Sequence, residues 1–256
     1  MSRNNYKTEI LQQNLNDYDL SFKIIIIGDS GVGKSCLTLK ATKGIFDSVY
    51  APTIGFEFMP FFIKVEDLNI KLQLWDTCGQ EVYRSLISSF YHNSSLALLV
   101  YAINDINSFK HLDTWINEIK TNGNPDINIF VIGNKVDLDD KRQIEKEEAK
   151  DFVKRNNVKL FLETSAKTGF NAQNVFIEAA KLLYEQHLNY KDRVSRPDSL
   201  GNVIGINKNN EIETYEDEDD NKNRKKKMLL KFSMTLLKNI KLINYYIIVN
   251  ILYKYH

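Results

Sequence analysis

Two cysteines and four prolines are all that 256 residues hold of those types. Cys36 and Cys78 cannot build a disulfide framework, so a reducing compartment is the default expectation. His92, His111, His187 and His256 share no metal-ligand spacing. No H-E-x-x-H, C-x-x-C or G-x-S-x-G pattern occurs, which removes support for zinc, metalloprotease and serine-hydrolase chemistry. An excess of charge of one sign is also missing. The 34 basic and 33 acidic residues leave a net +1, which argues against a nucleic-acid partner. Long apolar runs are absent too, since the longest charge-free piece of the terminal region, Leu242–Tyr253, falls short of the roughly 20 residues of a spanning helix. Met1–Asp19 is polar and Ser2 is not glycine, so neither a secretory signal nor N-myristoylation is expected. A cytoplasmic globular protein is the expectation.

What is present suffices for a sizeable core: 43% apolar and 26% charged residues, over a length of one to one and a half domains. From residue 20 to 187, apolar runs alternate with amphipathic stretches. Strands are predicted over Ser21–Ile27, Phe58–Val65, Ile70–Trp75, Leu96–Ala102, Asn128–Gly133 and Leu160–Glu163. Helices are predicted over Lys34–Thr42, Val82–Phe90, Phe109–Thr121, Glu145–Arg155 and Asn171–His187. The alternation implies an α/β fold with a mostly parallel sheet and helices on both faces. Residues 1–19 read as a polar extension and 188–227 as a disordered charged linker, with seven acids in Glu211–Asp220 and five bases in Lys222–Lys227. Residues 228–256 form a basic apolar tail.

Gly28-Asp-Ser-Gly-Val-Gly33-Lys34-Ser35 follows a strand and opens a helix, with the spacing G-x-x-x-x-G-K-S of a phosphate-binding loop. Backbone N–H groups from Ser30, Gly31, Val32, Gly33, Lys34, Ser35 and Cys36 are placed to surround phosphate oxygens, helped by the helix N-terminus. Lys34 reaches the β- and γ-phosphates and the Ser35 hydroxyl is a Mg²⁺ ligand. Asn134-Lys135-Val-Asp137 follows another strand. A carboxylate at Asp137 accepts two hydrogen bonds from the N1–H and amine of guanine, donors that adenine lacks at that edge. Ser165, Ala166 and Lys167 follow a third strand, and Ser165 and Ala166 are expected to turn backbone donors to the guanine carbonyl.

With these segments in this order, residues 21–187 resemble a Ras-like small GTPase, and within that group the Rab subfamily. Pro52-Thr53-Ile54-Gly55, Lys71-Leu-Gln-Leu-Trp75-Asp76-Thr77-Cys78-Gly79-Gln80-Glu81 and Glu163-Thr164-Ser165-Ala166-Lys167 complete the likeness. The resemblance implies a six-stranded sheet with one antiparallel edge strand, and a GTP/GDP switch with Mg²⁺ acting on vesicle traffic. It implies that Thr53 closes over Mg²⁺ and the γ-phosphate, that Asp76 holds Mg²⁺ through water, and that the Gly79 N–H senses the γ-phosphate. It further implies that Gln80 positions the attacking water and that Phe46 stacks on guanine. Exchange factors, activating proteins and effectors are the implied partners, through the two switches.

The chain departs from the Rab pattern at Cys78, Phe56-Glu57, Val82-Tyr83 and Phe90–Ser94; none touches the phosphate chemistry, and Phe56, Val82 and Tyr83 lie on the surface that regulators and effectors would read. Cys36 and Cys78 fall beside the nucleotide by sequence, and both a redox switch and inert packing stay open for them. The last cysteine is Cys78, so a prenylated terminal cysteine is not expected. For 228–256 the readings are a basic interfacial helix on an anionic membrane surface, giving peripheral location, a disordered or aggregation-prone extension, or a displaced reading frame. A nucleotide-locked scaffold and a P-loop ATPase or kinase are the alternative functions. Gln80 weighs against the first, and Asn134–Asp137 with Ser165–Lys167 against the second.

Overall fold

The computed structural model describes residues 5–11, 17–47, 53, 55–79, 91, 93–124 and 127–194, the side chains of 192–194 excepted. The chain divides into units Met1–Ser199 and Leu200–His256, the second outside the described residues. Gln80, the helix expected over Val82–Phe90, and the expected linker and tail from residue 195 onward likewise lie outside them.

The described residues form one seven-stranded sheet: β1 (Thr8–Leu11), β2 (Leu20–Ile27), β3 (Phe56–Val65), β4 (Leu68–Thr77), β5 (Leu96–Ala102), β6 (Asn128–Asn134) and β7 (Leu160–Glu163). The spatial order is β1-β3-β4-β2-β5-β6-β7. β2 pairs in parallel with β4 and β5, and β6 joins β5 and β7 in parallel. β3 is antiparallel to both neighbours. The helices are α1 (Lys34–Lys43), α2 (Ile106–Lys110), α3 (Leu112–Asn122), α4 (Lys146–Arg155) and α5 (Ala172–Val194).

β2 lies at the centre because its sequence can be buried on both faces. Ile24–Ile27 are fully buried, each side chain contributing about 1.5–3 kcal/mol. Ile24 and Ile26 pack on the face that also holds Leu37 and Ala41 of α1 and Val175, Phe176 and Ala179 of α5. Ile25 and Ile27 pack on the opposite face, with Leu112, Trp115, Ile116 and Ile119 of α3 and Phe152 of α4. A period of two along the strand thus meets two helical layers.

Three differences from the sequence expectations have local causes. The strand β1 arises within the segment read as a polar extension. Thr8–Leu11 is too short and too mixed to signal a strand, yet it pairs with Phe62–Val65, making seven strands where six were expected. Its start is fastened by Lys7 N–H donating to Glu66 Oε1 (2.6 Å), by Glu66 N–H donating to Lys7 O (2.9 Å), and by Tyr6 set edge-on to Tyr184. The helix expected over Phe109–Thr121 begins earlier, because Asp105 caps α2 by accepting from Asn107 and Ser108 N–H, and it breaks at His111. The last helix passes His187 and continues to Val194, into the start of the expected linker.

A chain that starts at Asp17 is expected to fold, while the amide of Glu66 and the outward amides of Phe62–Val65 exchange with deuterium markedly faster. Protection unchanged in that segment would show that β1 contributes nothing to the edge. Exchange in β2 serves as the internal control.

Candidate functional site

β2, β4 and β6 all end on one side of the sheet, and the loops after them enclose a cleft of about 500 Å³. It is bordered by Ser30, Gly31, Gly33, Lys34, Ser35 and Cys36 at one end, by Asn134, Lys135, Asp137, Ala166 and Lys167 at the other, and by Phe46, Thr53, Cys78 and Gly79 across the mouth. A second hollow, about 420 Å³, lies at the opposite ends of β2, β5 and β6 and is lined by Asn93, Asn128 and His187 among others. Among the described residues its wall holds no lysine, arginine or carboxylate, whereas the first gathers both charges at the crevice where parallel-sheet folds bind ligands.

The floor of the cleft is the N-terminus of α1. No side chain caps it and no acid occupies its first turn, so its N–H groups and dipole stay available to an anion. The loop reaches this helix through Gly33 at φ 94°, where a Cβ would stand 2.5 Å from Asn134 Nδ2. Only glycine satisfies both conditions. Lys34 is buried, and its ammonium donates to Gly28 O and Asp29 O, each at 2.8 Å. Burial lowers its pKa to about 8, partly opposed by Asp76.

Asp76, near the end of β4, is fully buried. Burial raises its carboxyl to about 6, against the hydrogen bond from Ser35 and the charge of Lys34. Ser35 Oγ donates to Asp76 Oδ2 and lies 2.7 Å from Thr53 Oγ1. The other carboxylate oxygen, Asp76 Oδ1, is buried and has no partner among the described residues. Two hydroxyls and a carboxylate with an unsatisfied oxygen are hard oxygen donors that suit Mg²⁺, which binds through few carboxylates and retains water. These residues fit the ion.

At the other end, Asn134 ties the loops together. Its Nδ2 donates to Val32 O at 2.9 Å, while its Oδ1 accepts from Thr164 Oγ1 at 3.1 Å and Ala166 N–H at 3.2 Å. Asp137 Oδ1 accepts from Ser165 Oγ at 2.6 Å, which orients the carboxylate at the cleft. One expectation is corrected here. The Ser165 N–H does not point to the cleft, because it donates to Phe170 O at 3.0 Å and closes the 165–170 turn. Ser165 is fully buried and acts through Asp137 instead. Val32 likewise contributes its carbonyl, its side chain being in the core.

Gly79 packs on the phosphate loop so closely that a Cβ would lie 2.3 Å from Ser30 N. Phe46 is about one-third exposed at the cleft, and Lys167 is exposed on its rim. Burial raises the Cys36 thiol, and Asp76 adds to the rise, so thiolate reactivity is suppressed rather than promoted. Leu138 and Asp47 also line the cleft and were not singled out from sequence. Leu138 directly follows Asp137 and was within reach of that motif, whereas Asp47 carries no signal.

Residues 23–185, more than half of the chain, match the model of the Ras family. The match begins in β2, ends in α5, and contains every cleft residue named above.

Because the Asp76 carboxyl titrates higher in the folded, unliganded protein than in the unfolded chain, its protonation favours folding. That contribution is full below about pH 4 and is lost as pH rises through about 6. Asp76→Asn is therefore expected to raise the melting temperature of nucleotide-free protein at pH 7.5 and to shrink the extra stabilisation that Mg²⁺ adds to nucleotide. A melting temperature equal to or below wild type would show that the buried charge is not a strain on the empty site.

Proposed function

The chain belongs to the Ras family of small GTPases, and from that membership we propose a guanine-nucleotide switch of Rab type, acting in membrane traffic. The observation that carries the choice of base is the Asp137 carboxylate, held by Ser165 at the opposite end of the cleft from Lys34. A purine with an N1–H and an exocyclic amine satisfies that carboxylate, and adenine leaves it unpaired, a penalty of about 1–3 kcal/mol or more. Phe46, which borders the cleft, would cover the base, and Asn134 ties the base end to the phosphate end. An ATPase or nucleotide kinase lacks a reason to keep Asp137 there.

In hydrolysis, water attacks the γ-phosphorus and the bond from that phosphorus to the bridging oxygen of GDP breaks, leaving GDP and phosphate. Lys34 and the N–H groups of the phosphate loop stabilise the negative charge of the transferred group. Mg²⁺, when bound, neutralises phosphate charge, and Ser35, Thr53 and Asp76 are the residues that would hold it. The role of Gln80 in orienting the water rests on the family resemblance. Thr53 and Gly79 would each lose a partner when the γ-phosphate leaves, and their release is the switch.

For the Rab assignment, support comes from the segments quoted above; the aromatic surface near Thr53 in sequence supports partner recognition instead. Phe56 and Phe58 are 43% and 42% exposed and flank Trp75 at 5.4 Å each. An exposed aromatic group beside a nucleotide-sensing loop suits state-dependent recognition by exchange factors, activating proteins and effectors. The nine bases and no acid of residues 222–256 support peripheral attachment to an anionic membrane, at about 1 kcal/mol per base close to the surface.

Two measurements test this reading. Asp137→Asn is expected to weaken GTP binding and shift preference toward xanthosine triphosphate, whose carbonyl replaces the guanine amine. Competition binding with unchanged guanine preference would remove Asp137 from the base site. Gln80→Leu should retain GTP binding but hydrolyse it more slowly in single turnover, and equal rates would refute the role given to Gln80.

A further inference from the structure

Asp29, between Gly28 and Ser30 of the phosphate loop, is gripped from outside the loop. Its Oδ2 lies 2.6 Å from His111 Nδ1, and its Oδ1 accepts from Trp115 Nε1–H at 2.8 Å. The donors come from the joint between α2 and α3 and from the first turns of α3. His111 occupies the joint, Trp115 stands one turn further, and Trp115 N–H donates to His111 O at 3.1 Å. The two rings therefore sit on one helical face, as residues four apart must. Trp115 is 1% exposed and packed in the core. The Asp29 side chain is 22% exposed and that of His111 53%.

The main chain of Asp29 faces the chemistry. Its carbonyl accepts from the Lys34 ammonium at 2.8 Å, and a Cβ on Gly79 would fall 2.6 Å from the same oxygen. Fixing the side chain fixes the peptide that Lys34 and Gly79 both meet. A phosphate loop does its work with backbone N–H groups and needs no carboxylate. An ionised side chain close to bound phosphates repels them unless it is turned away and engaged. The two ring donors do both.

We propose that His111 and Trp115 are positioning residues for the phosphate loop, acting through Asp29 to slow nucleotide release. This rests on the nucleotide site argued above. The latch spans 82 and 86 residues of sequence and reaches the loop from His111 and Trp115, which do not border the cleft. Loss of a charge-assisted bond lets the loop sample open positions and frees the Asp29 carboxylate to approach the phosphates.

The test is release of a fluorescent GDP analogue from the full chain after addition of excess GDP. His111→Ala and Trp115→Phe, which deletes the indole N–H but keeps a ring, should each release about 3–10-fold faster. His111→Asn returns an N–H close to the Nδ1 position and should restore slow release. In an Asp29→Ala background, His111→Ala should change nothing further, whereas a packing role would add in both backgrounds. Wild-type release from His111→Ala, or the same acceleration with and without Asp29, overturns the latch. Failure of the wild-type chain to retain the analogue would instead overturn the nucleotide reading on which it rests.

Discussion

An ammonium and a carboxylate buried in the same crevice are the constraint around which this molecule is built. Lys34 and Asp76 are both withdrawn from water, which pushes each toward its neutral form. The protein meets part of that penalty with two carbonyls on the lysine and one hydroxyl on the aspartate. It leaves one carboxylate oxygen without a partner among the described residues. Such a site is incomplete in its electrostatics until an anion and a hard cation occupy it together. The parallel strands and the long apolar run of β2 hold the two groups at that crevice despite the penalty.

Rigidity around this crevice is supplied by polar side chains that join loops distant in sequence. Asn134 spans the turn after β6, the phosphate loop and the turn after β7 with its single amide. Its two donors go to Val32 O and Gly33 O, and its oxygen accepts from the Thr164 hydroxyl and the Ala166 N–H, so all four hydrogen-bonding sites are used. The other anchor, at Asp29, comes from the helical layer. Base end and phosphate end are thereby fixed by different layers of the fold.

The phosphate loop, the Asn134–Asp137 segment and the Ser165–Lys167 segment were legible because each is a short local pattern placed directly after a strand. The central strands were legible because isoleucine and leucine runs leave few alternatives. Strand β1 was not, since four residues with one charge carry no periodic signal until Phe62–Val65 is there to pair with. The break at His111 was hidden by a continuous apolar face, although Asp105 offered a capping residue that could have been read. The turn that withdraws the Ser165 N–H depends on Phe170, and the grip on Asp29 depends on two aromatic residues more than 80 positions away. Side-chain contacts at that separation are written in the packing of α3 on the sheet and have no local trace.

The two margins of the sheet differ in how they meet solvent, and this bears on self-association. On the β3 margin, β1 occupies Phe62–Val65, and Pro60 has no N–H to offer a further strand. On the other margin, β7 is four residues long and its final residue, Glu163, is engaged with Arg142 at 2.7 Å. Short, interrupted and charged margins are poor templates for another copy of the same chain. The exposed aromatic residues Phe56 and Phe58 thus sit on the half of β3 that β1 leaves unpaired, where another molecule meets rings and a proline before it meets a regular row of sheet hydrogen-bonding groups.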